Sequence, residues 1–498
     1  MHSSNLRKPH EFGLVGFSIP FWQGGLVPRL TTVCYLCPAI CRYIQTIRII
    51  TIATIYDFIT NMYFTGMTHR VMIHLSRAKE PEVFRGFWLF FCISKYLKEE
   101  IYMEYEISNR LSGVHGSMIR ELFKLGASKD IISFGGGNPS AETFPCKEIE
   151  EIAAKGLSEN PVSLLQYGLS EGYTPLRDTM KKYLEKKEGF DFENNELFIV
   201  SGGQQCADLT TKALVNEGDV VLTEEPAFVG CLNTFRSYGA KLVGIPMEQD
   251  GMNINALEEA LKANPEAKLL YTIPSFQNPT GITTSLEKRK KVYELCCKYD
   301  IAILEDNPYG ELRFAGENVP TIKSMDTEGR VIYAGSFSKV MAPAFRLGFL
   351  VFNKSLTGPL TVAKQCTDVH STVLFQYICN EYINNYDFDK HLEDSRKVYE
   401  HKCNLMMECM KKEFHPSVTF GHPEGGLFVM AFLPEGMDSA PFVREAINRG
   451  VLSVPGAAFL ADENQKSNGF RLNYSTPSDE QIVKGIEILG KLTYEWIK

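Results

Sequence analysis

The sequence predicts an α/β fold with a mainly parallel central sheet, flanking helices and a smaller α+β domain. From about residue 130, short apolar runs alternate with amphipathic helical stretches, the pattern of repeated strand–helix units. Most of these runs are closed by a polar loop rich in Gly, Pro, Asn or Ser. A composition of 44% hydrophobic and 22% charged residues is that of an ordinary globular protein, and 498 residues exceed one simple core.

Taken in chain order, residues 196–200 (ELFIV) read as a strand ended by Ser201-Gly202-Gly203, and 204–215 as the helix that follows. Further strands are expected at 220–223, 269–273, 301–305 and 331–334, with helical segments between them such as 286–298. No internal repeat or low-complexity linker interrupts the series. In open α/β sheets, ligands bind beyond the carboxyl ends of the strands. The loops at those ends are Gly202-Gly203-Gln204, Glu225-Pro226-Ala227-Phe228, Asn278-Pro279-Thr280-Gly281, Asp306-Asn307-Pro308-Tyr309 and Ser336-Phe337-Ser338-Lys339. Five polar loops at five strand ends are expected to converge on one site.

The first hundred residues read differently. Residues 1–102 hold 11 Lys+Arg against 6 Asp+Glu, a balance of +5 that leaves -13 on the remainder of a chain whose net charge is -8. A membrane anchor needs about 20 nearly uncharged residues, and Arg48, Asp57, Arg70 and Arg85 break every apolar run before that. Cys34, Cys37 and Cys41 form a Cys-x2-Cys-x3-Cys cluster without a second, distant pair, so no metal site is assigned. Lys98-Glu99-Glu100 stands just before Met103, and such a triplet can be encoded by a purine run matching a bacterial ribosome-binding site. The expectation is that 1–102 is a dispensable, poorly ordered upstream extension and that the working chain starts at Met103. The acidic balance argues against nucleic-acid binding. Thirteen irregularly spaced cysteines fit a reducing, cytoplasmic compartment.

The loops carry recognisable chemistry. Ser336, Ser338 and Arg346 around Lys339 supply hydroxyl and guanidinium donors suited to a phosphate, with the lysine placed to form an imine with an aldehyde. Alone, Ser-x-Ser-Lys is ordinarily a solvated loop; the other loops change that. Asp306 ends an apolar strand, where an unpaired carboxylate is costly. Asp-Asn-Pro is also common turn composition, but a carboxylate there could keep a pyridine nitrogen protonated. Tyr309 and Asn278 could bond the ring's phenolic oxygen. Gly203-Gln204 at a helix start offers amides to the phosphate, and Phe228 offers an apolar face to the ring.

Asn278-Pro279-Thr280-Gly281, Asp306-x-x-Tyr309 and Ser336-x-Ser338-Lys339 with Arg346 resemble the signature of the fold-type I, class I/II pyridoxal-phosphate-dependent aminotransferases. The resemblance spans roughly 108–498 and is nearest the 2-aminoadipate, kynurenine and aromatic-amino-acid subgroup. It implies that Lys339 is the imine lysine and proton shuttle, and that Asp306 pairs with the pyridinium. Asn278 and Tyr309 would hold the ring oxygen, and Ser336, Ser338, Arg346 and Gln204 the phosphate. Phe470-Arg471-Leu472-Asn473-Tyr474 resembles the family's carboxylate clamp, which makes Arg471 the substrate arginine; Gly136 and Asn278 would line the same side. Gln166-Tyr167-Gly168 resembles the segment whose tyrosine crosses a homodimer interface to the partner's phosphate. Phe228 stands where the family commonly has Tyr, and Gly203 where relatives often have Ser.

The resemblance further implies amino-acid and 2-oxo-acid substrates, ping-pong kinetics, and neither nucleic-acid nor membrane partners. The implied organisation is an arm and part of the small domain at 103–150, a large cofactor domain at 151–365 and a small C-terminal domain at 366–498. A lyase or decarboxylase on the same fold remains open, because these motifs bind the cofactor without dictating which α-carbon bond breaks. A cofactor-sensing transcription regulator also remains open, although 1–102 shows no winged helix-turn-helix.

Overall fold

A strand that is apolar at nearly every position needs cover on both faces, and the central strands have it. The computed structural model describes residues 105–112, 114, 131–462 and 464–498. The chain divides into Met1–Glu106 and Ile107–Lys498; the upstream extension and the Cys34–Cys37–Cys41 cluster lie outside the described residues, and the fold is that of the second unit. Its strands are β1 (Ile132–Ser133), β2 (Asn195–Val200), β3 (Val220–Glu225), β4 (Lys241–Glu248), β5 (Gly251–Met252), β6 (Leu269–Thr272) and β7 (Ala302–Asn307). They continue with β8 (Val331–Ser336), β9 (Gly348–Asn353), β10 (Thr419–Phe420), β11 (Phe428–Phe432), β12 (Val451–Leu452), β13 (Val454–Pro455) and β14 (Gly469–Asn473).

Eight strands form one sheet in the order β2-β9-β8-β7-β6-β3-β4-β5. The neighbours β8, β7, β6, β3 and β4 are parallel, and β9 runs antiparallel to both β8 and β2. Side chains alternate between faces. Leu222, Leu270, Ile303 and Val331 enter a core with Leu257 and Leu261 of helix Ile254–Ala263 and Val292 and Cys296 of helix Leu286–Lys298. The intervening Val221, Tyr271, Leu304 and Ile332 face the opposite core, shared with Cys206 and Leu209 of helix Gly203–Leu214.

Local signals set the helix ends. Helix Thr174–Glu188 has Pro near its start and stops at Gly189, whose φ of 70° is the left-handed conformation glycine adopts freely. Helix Asp479–Trp496 opens with a reciprocal Ser478–Gln481 capping box. The second sheet, β10-β11-β14-β13, is antiparallel, and β1 pairs in parallel with β12. No helix among the described residues is long and apolar enough to cross a membrane.

Every strand anticipated from the sequence is present, with shifted ends. The strand expected at 301–305 runs Ala302–Asn307, so Asp306 is inside the ladder, opposite Ala334. Two long strands of the eight-stranded sheet were not anticipated. β4 carries Gly244 and Pro246 and is largely half-exposed, which dilutes its apolar signal. β9 follows β8 without the long helix that a strand–helix repeat leads one to expect; only the short turn Pro343–Phe345 intervenes.

Candidate active site

Because β2 and β9 flank the parallel strands with opposite senses, the end of β2, the end of β8 and the start of β9 meet at one edge. Glycine is required there. A Cβ on Gly348 would lie 2.8 Å from the Gly335 carbonyl and 3.0 Å from the backbone of Gly202. Gly202 has φ +85° and caps helix Gly203–Leu214; a Cβ on it would fall 2.8 Å from the Arg346 guanidinium. In front of Gly203 a Cβ would meet nothing within 4 Å. The first amides of a helix have no intrahelical acceptor, so this turn offers N–H groups beside an exposed arginine. Arg346 is itself left-handed, φ 50°. Ser336 and Ser338 stand at the same edge, with the Ser338 amide donating to Ser336 Oγ at 3.1 Å. Backbone amides, two hydroxyls and a guanidinium at one edge form a cradle of the kind a phosphate would require.

Lys339 projects from that turn, and its Nζ donates to the Gly137 carbonyl at 2.6 Å. Burial, reinforced by the Arg346 and Arg471 charges, pulls its ammonium down to about 8. Arg471, on β14, is buried; it donates to Asn278 Oδ1 at 2.7 Å and to the Gly135 carbonyl at 2.6 Å. Its guanidinium lies 4.3 Å from the Phe428 ring centre and 4.9 Å from that of Phe459. Burial brings it down to about 10. Arg471 Nε is buried and has no partner among the described residues. Asn278 Nδ2 donates to the Tyr309 hydroxyl at 3.4 Å, and Tyr309 meets Phe428 edge-on at 5.9 Å.

Asp306 is buried, and Tyr271 donates to its Oδ2 at 2.9 Å. Burial pushes the carboxyl up to about 7; the Tyr271 hydroxyl opposes the rise and the charge of Glu224 adds to it. A carboxylate at such a position gains most from a cationic ring nitrogen.

The structure thus brings Lys339, Asn278, Tyr309 and Arg471 together, with Asp306 at the end of the neighbouring strand and Gly203, Ser336, Ser338 and Arg346 in the cradle. Phe228 is partly buried at the start of helix Val229–Ser237. The side chains or backbones of three other expected residues point away from this group within the single chain. The Gln204 side chain turns away to donate to the Gly230 carbonyl and Thr234 Oγ1, at 2.8 and 2.6 Å, leaving only its backbone at the cradle. Gly136 reaches neither Lys339 nor Arg471, whereas the carbonyls of Gly135 and Gly137 do. Tyr167 is 82% exposed and meets His370 edge-on. Sequence reasoning missed Tyr271, although its register opposite Leu304 puts it on the Asp306 face.

An amine whose ammonium is lowered to about 8, a buried carboxyl short of a cation and a set of anion donors stand at the ends of neighbouring strands of one sheet, the constellation of a pyridoxal-phosphate-dependent enzyme. The comparisons agree: the chain belongs to the aminotransferase class I and II family, whose model matches residues 129–489. The aromatic-amino-acid aminotransferase 1 of Thermococcus litoralis is 38% identical over 415 residues, covering 82% of this chain and 99% of that protein. The 2-aminoadipate transaminase of Thermus thermophilus is 36% identical over 381 residues, 76% of this chain and 94% of that one. The crystal structure of Pyrococcus horikoshii kynurenine aminotransferase in complex with PMP is 38% identical, with a TM-score of 0.76 over 79% of this chain and 98% of that one. The chain is a transaminase that uses pyridoxal 5'-phosphate.

Proposed function

We propose that this enzyme moves an amino group from an L-amino acid to a 2-oxo acid in two half-reactions that use one site in turn, the ping-pong order, with glutamate and 2-oxoglutarate as one pair. The observation that carries the reading is the placement of Lys339 on the Ser336–Lys339 turn, its Nζ donating to the Gly137 carbonyl at 2.6 Å while Arg471 donates to the neighbouring Gly135 carbonyl and to Asn278; burial and the Arg346 and Arg471 charges lower its ammonium to about 8. When bound, the cofactor supplies an aromatic aldehyde whose protonated ring withdraws electrons from the substrate α-carbon. Lys339 would hold it through Nζ, and once released would carry the proton away from the α-carbon. Asp306 would accept from the ring nitrogen, Asn278 and Tyr309 would donate to the ring oxygen, and Phe228 would cover a ring face. Ser336, Ser338, Arg346 and the Gly203 and Gln204 amides would hold the phosphate. Arg471 would clamp the substrate α-carboxylate beside Asn278 and the Gly136 segment.

Residues 151–365 would carry the cofactor, with 103–150 and 366–498 supplying the arm and the smaller domain. Val162 (75%), Leu165 (71%) and Leu169 (58%), close to Tyr167 in the chain, are exposed as it is. A run of exposed apolar residues of this kind suits a second copy and supports a homodimer in which the partner subunit's Tyr167 completes the phosphate site; the irregularly spaced cysteines, free among the described residues, favour the cytoplasm.

A panel of amino donors tests the reaction. Aromatic amino acids, 2-aminoadipate and glutamate should convert the bound cofactor to its amine form, and 2-oxoglutarate should restore it. Inertness toward every amino acid sinks the proposal, as does release of carbon dioxide with each donor. Arg471→Lys keeps the charge but loses the two-pronged fork. It should raise KM for amino acids by about tenfold to a hundredfold while changing kcat less, a split that steady-state kinetics reads directly.

A further inference from the structure

Lys364 is a fully buried cation that the proposed chemistry does not use. It lies in helix Thr357–Thr367, and its Nζ donates to Gln205 Oε1 at 2.7 Å, Asp368 Oδ1 at 2.7 Å and Ser371 Oγ at 3.0 Å. The partners of this ammonium all lead to one place. Asp368 Oδ2 accepts from Ser201 Oγ at 2.6 Å and from Gln205 Nε2 at 2.9 Å. Gln205 Oε1 also accepts from the Ser201 amide at 2.7 Å, and Ser371 Oγ lies 2.9 Å from Ser201 Oγ. Ser201 immediately precedes Gly202 and Gly203, the turn that presents the helix amides. Only the lysine is fully covered, the Asp368 side chain keeping 28% of its exposure; burying an ammonium carries a desolvation cost that one partly exposed carboxylate rarely repays in stability, so its position calls for another reason.

Asp368 and Gln205 grip Ser201 through both its amide and its hydroxyl, which fixes the direction of the residues that follow. A carboxylate beside the turn would, unpaired, place negative charge behind an anion site. Lys364 cancels that charge without releasing the grip. Burial works against the charged forms of both partners, yet the Lys364, Ser201 and Gln205 hydrogen bonds still hold Asp368 below the usual carboxylate range.

We propose that Lys364 is a positioning residue for the cofactor's phosphate: with Asp368 and Gln205 it orients the Ser201-Gly202-Gly203 turn, and its charge neutralises Asp368 so that the turn accepts a dianion. The proposal rests on the reading that this turn, with Arg346, holds the phosphate. It therefore concerns pyridoxal phosphate and leaves pyridoxal, which lacks the phosphate, aside.

The experiment measures dissociation constants of pyridoxal phosphate and pyridoxal for the full chain by equilibrium dialysis, with thermal midpoints alongside. Lys364→Met should weaken pyridoxal phosphate by at least about tenfold and leave pyridoxal within about twofold. Adding Asp368→Asn in the same chain should recover most of that loss, because no charge is left uncompensated. Equal weakening of both ligands, or of neither, overturns the proposal. Should Lys364→Met fail to fold, Asp368→Asn alone decides: it should bind pyridoxal phosphate at least as well as the parent, and selective weakening overturns the electrostatic argument. Arg346→Ala separates the underlying reading. If that variant weakens both ligands alike, the phosphate lies elsewhere and the proposal falls with it; selective loss of pyridoxal phosphate there leaves the Lys364 result to stand alone.

Discussion

Lys339→Ala is expected to lower the transamination rate by about 10³-fold or more, measured with any donor that the wild-type enzyme accepts. In the proposed reaction two functions would be lost at once: the nucleophile that captures the cofactor's aldehyde and the base that moves the α-proton, the second alone contributing about 10²–10⁴-fold in comparable enzymes. The cradle is untouched, so the variant should still bind pyridoxal phosphate through Arg346, Ser336 and Ser338. Borohydride reduction followed by digestion should place a pyridoxyl label on the Lys339 peptide of the parent and on no peptide of the variant. A small amine in the buffer should restore part of the rate. The amine also has a pH signature. With its folded value drawn down to about 8 by burial and by Arg346 and Arg471, the unprotonated form grows as pH rises through 8. Capture of the cofactor by the empty chain should accelerate up to that point and then level off. A variant within tenfold of the parent rate, or a label on another lysine, would remove Lys339 from the mechanism.

Much of this site was legible because its chemistry is local. Ser336, Ser338, Lys339 and Arg346 sit on one turn and its continuation, so composition and spacing already place hydroxyls and a guanidinium around an amine. Asp306 was legible because a carboxylate closing an apolar run has no cheap explanation. What failed was information held between strands. Tyr271 reads as a strand-forming aromatic, and only the β6–β7 register turns it toward Asp306. In the Gly135-Gly136-Gly137 run, which carbonyls point inward is a property of backbone direction. The first and third reach Arg471 and Lys339, and the middle residue does not. Lys364 and Asp368 are four apart, a spacing that carries no sign of a function by itself; packing against the Ser201 turn buries the lysine completely and leaves the aspartate partly exposed. β9 was invisible as a sheet member because its place between β2 and β8 follows from a reversal that no local pattern encodes.

Asp306→Asn tests the other half of the chemistry, and its effects on rate and on stability should have opposite signs. The amide can still accept from Tyr271, so local geometry is kept, but it cannot balance a protonated ring. Loss of a preorganised charge at the reacting group typically lowers kcat by about 10²-fold or more, and that is the expected fall. In the cofactor-free chain the carboxyl is raised to about 7, against an ordinary value of about 3.9. The folded state therefore holds its proton through a pH range in which the unfolded chain has already released it. Stability from this group is fully present below about pH 4 and is lost as pH climbs through 7. Asn has no proton to lose. The cofactor-free variant should thus be more stable than the parent at neutral pH, by on the order of 4 kcal/mol, and the gap should close as the buffer is taken down toward pH 4. Glu305, also buried and raised to about 7, is common to both chains and cancels in the difference. With pyridoxal phosphate present the order should reverse, because a cationic ring makes the ionised carboxylate the favoured partner and the parent gains the larger thermal shift. A cofactor-free variant that is less stable at pH 7, with a deficit that widens as pH rises, would mean that Asp306 is already charged and satisfied in the empty chain.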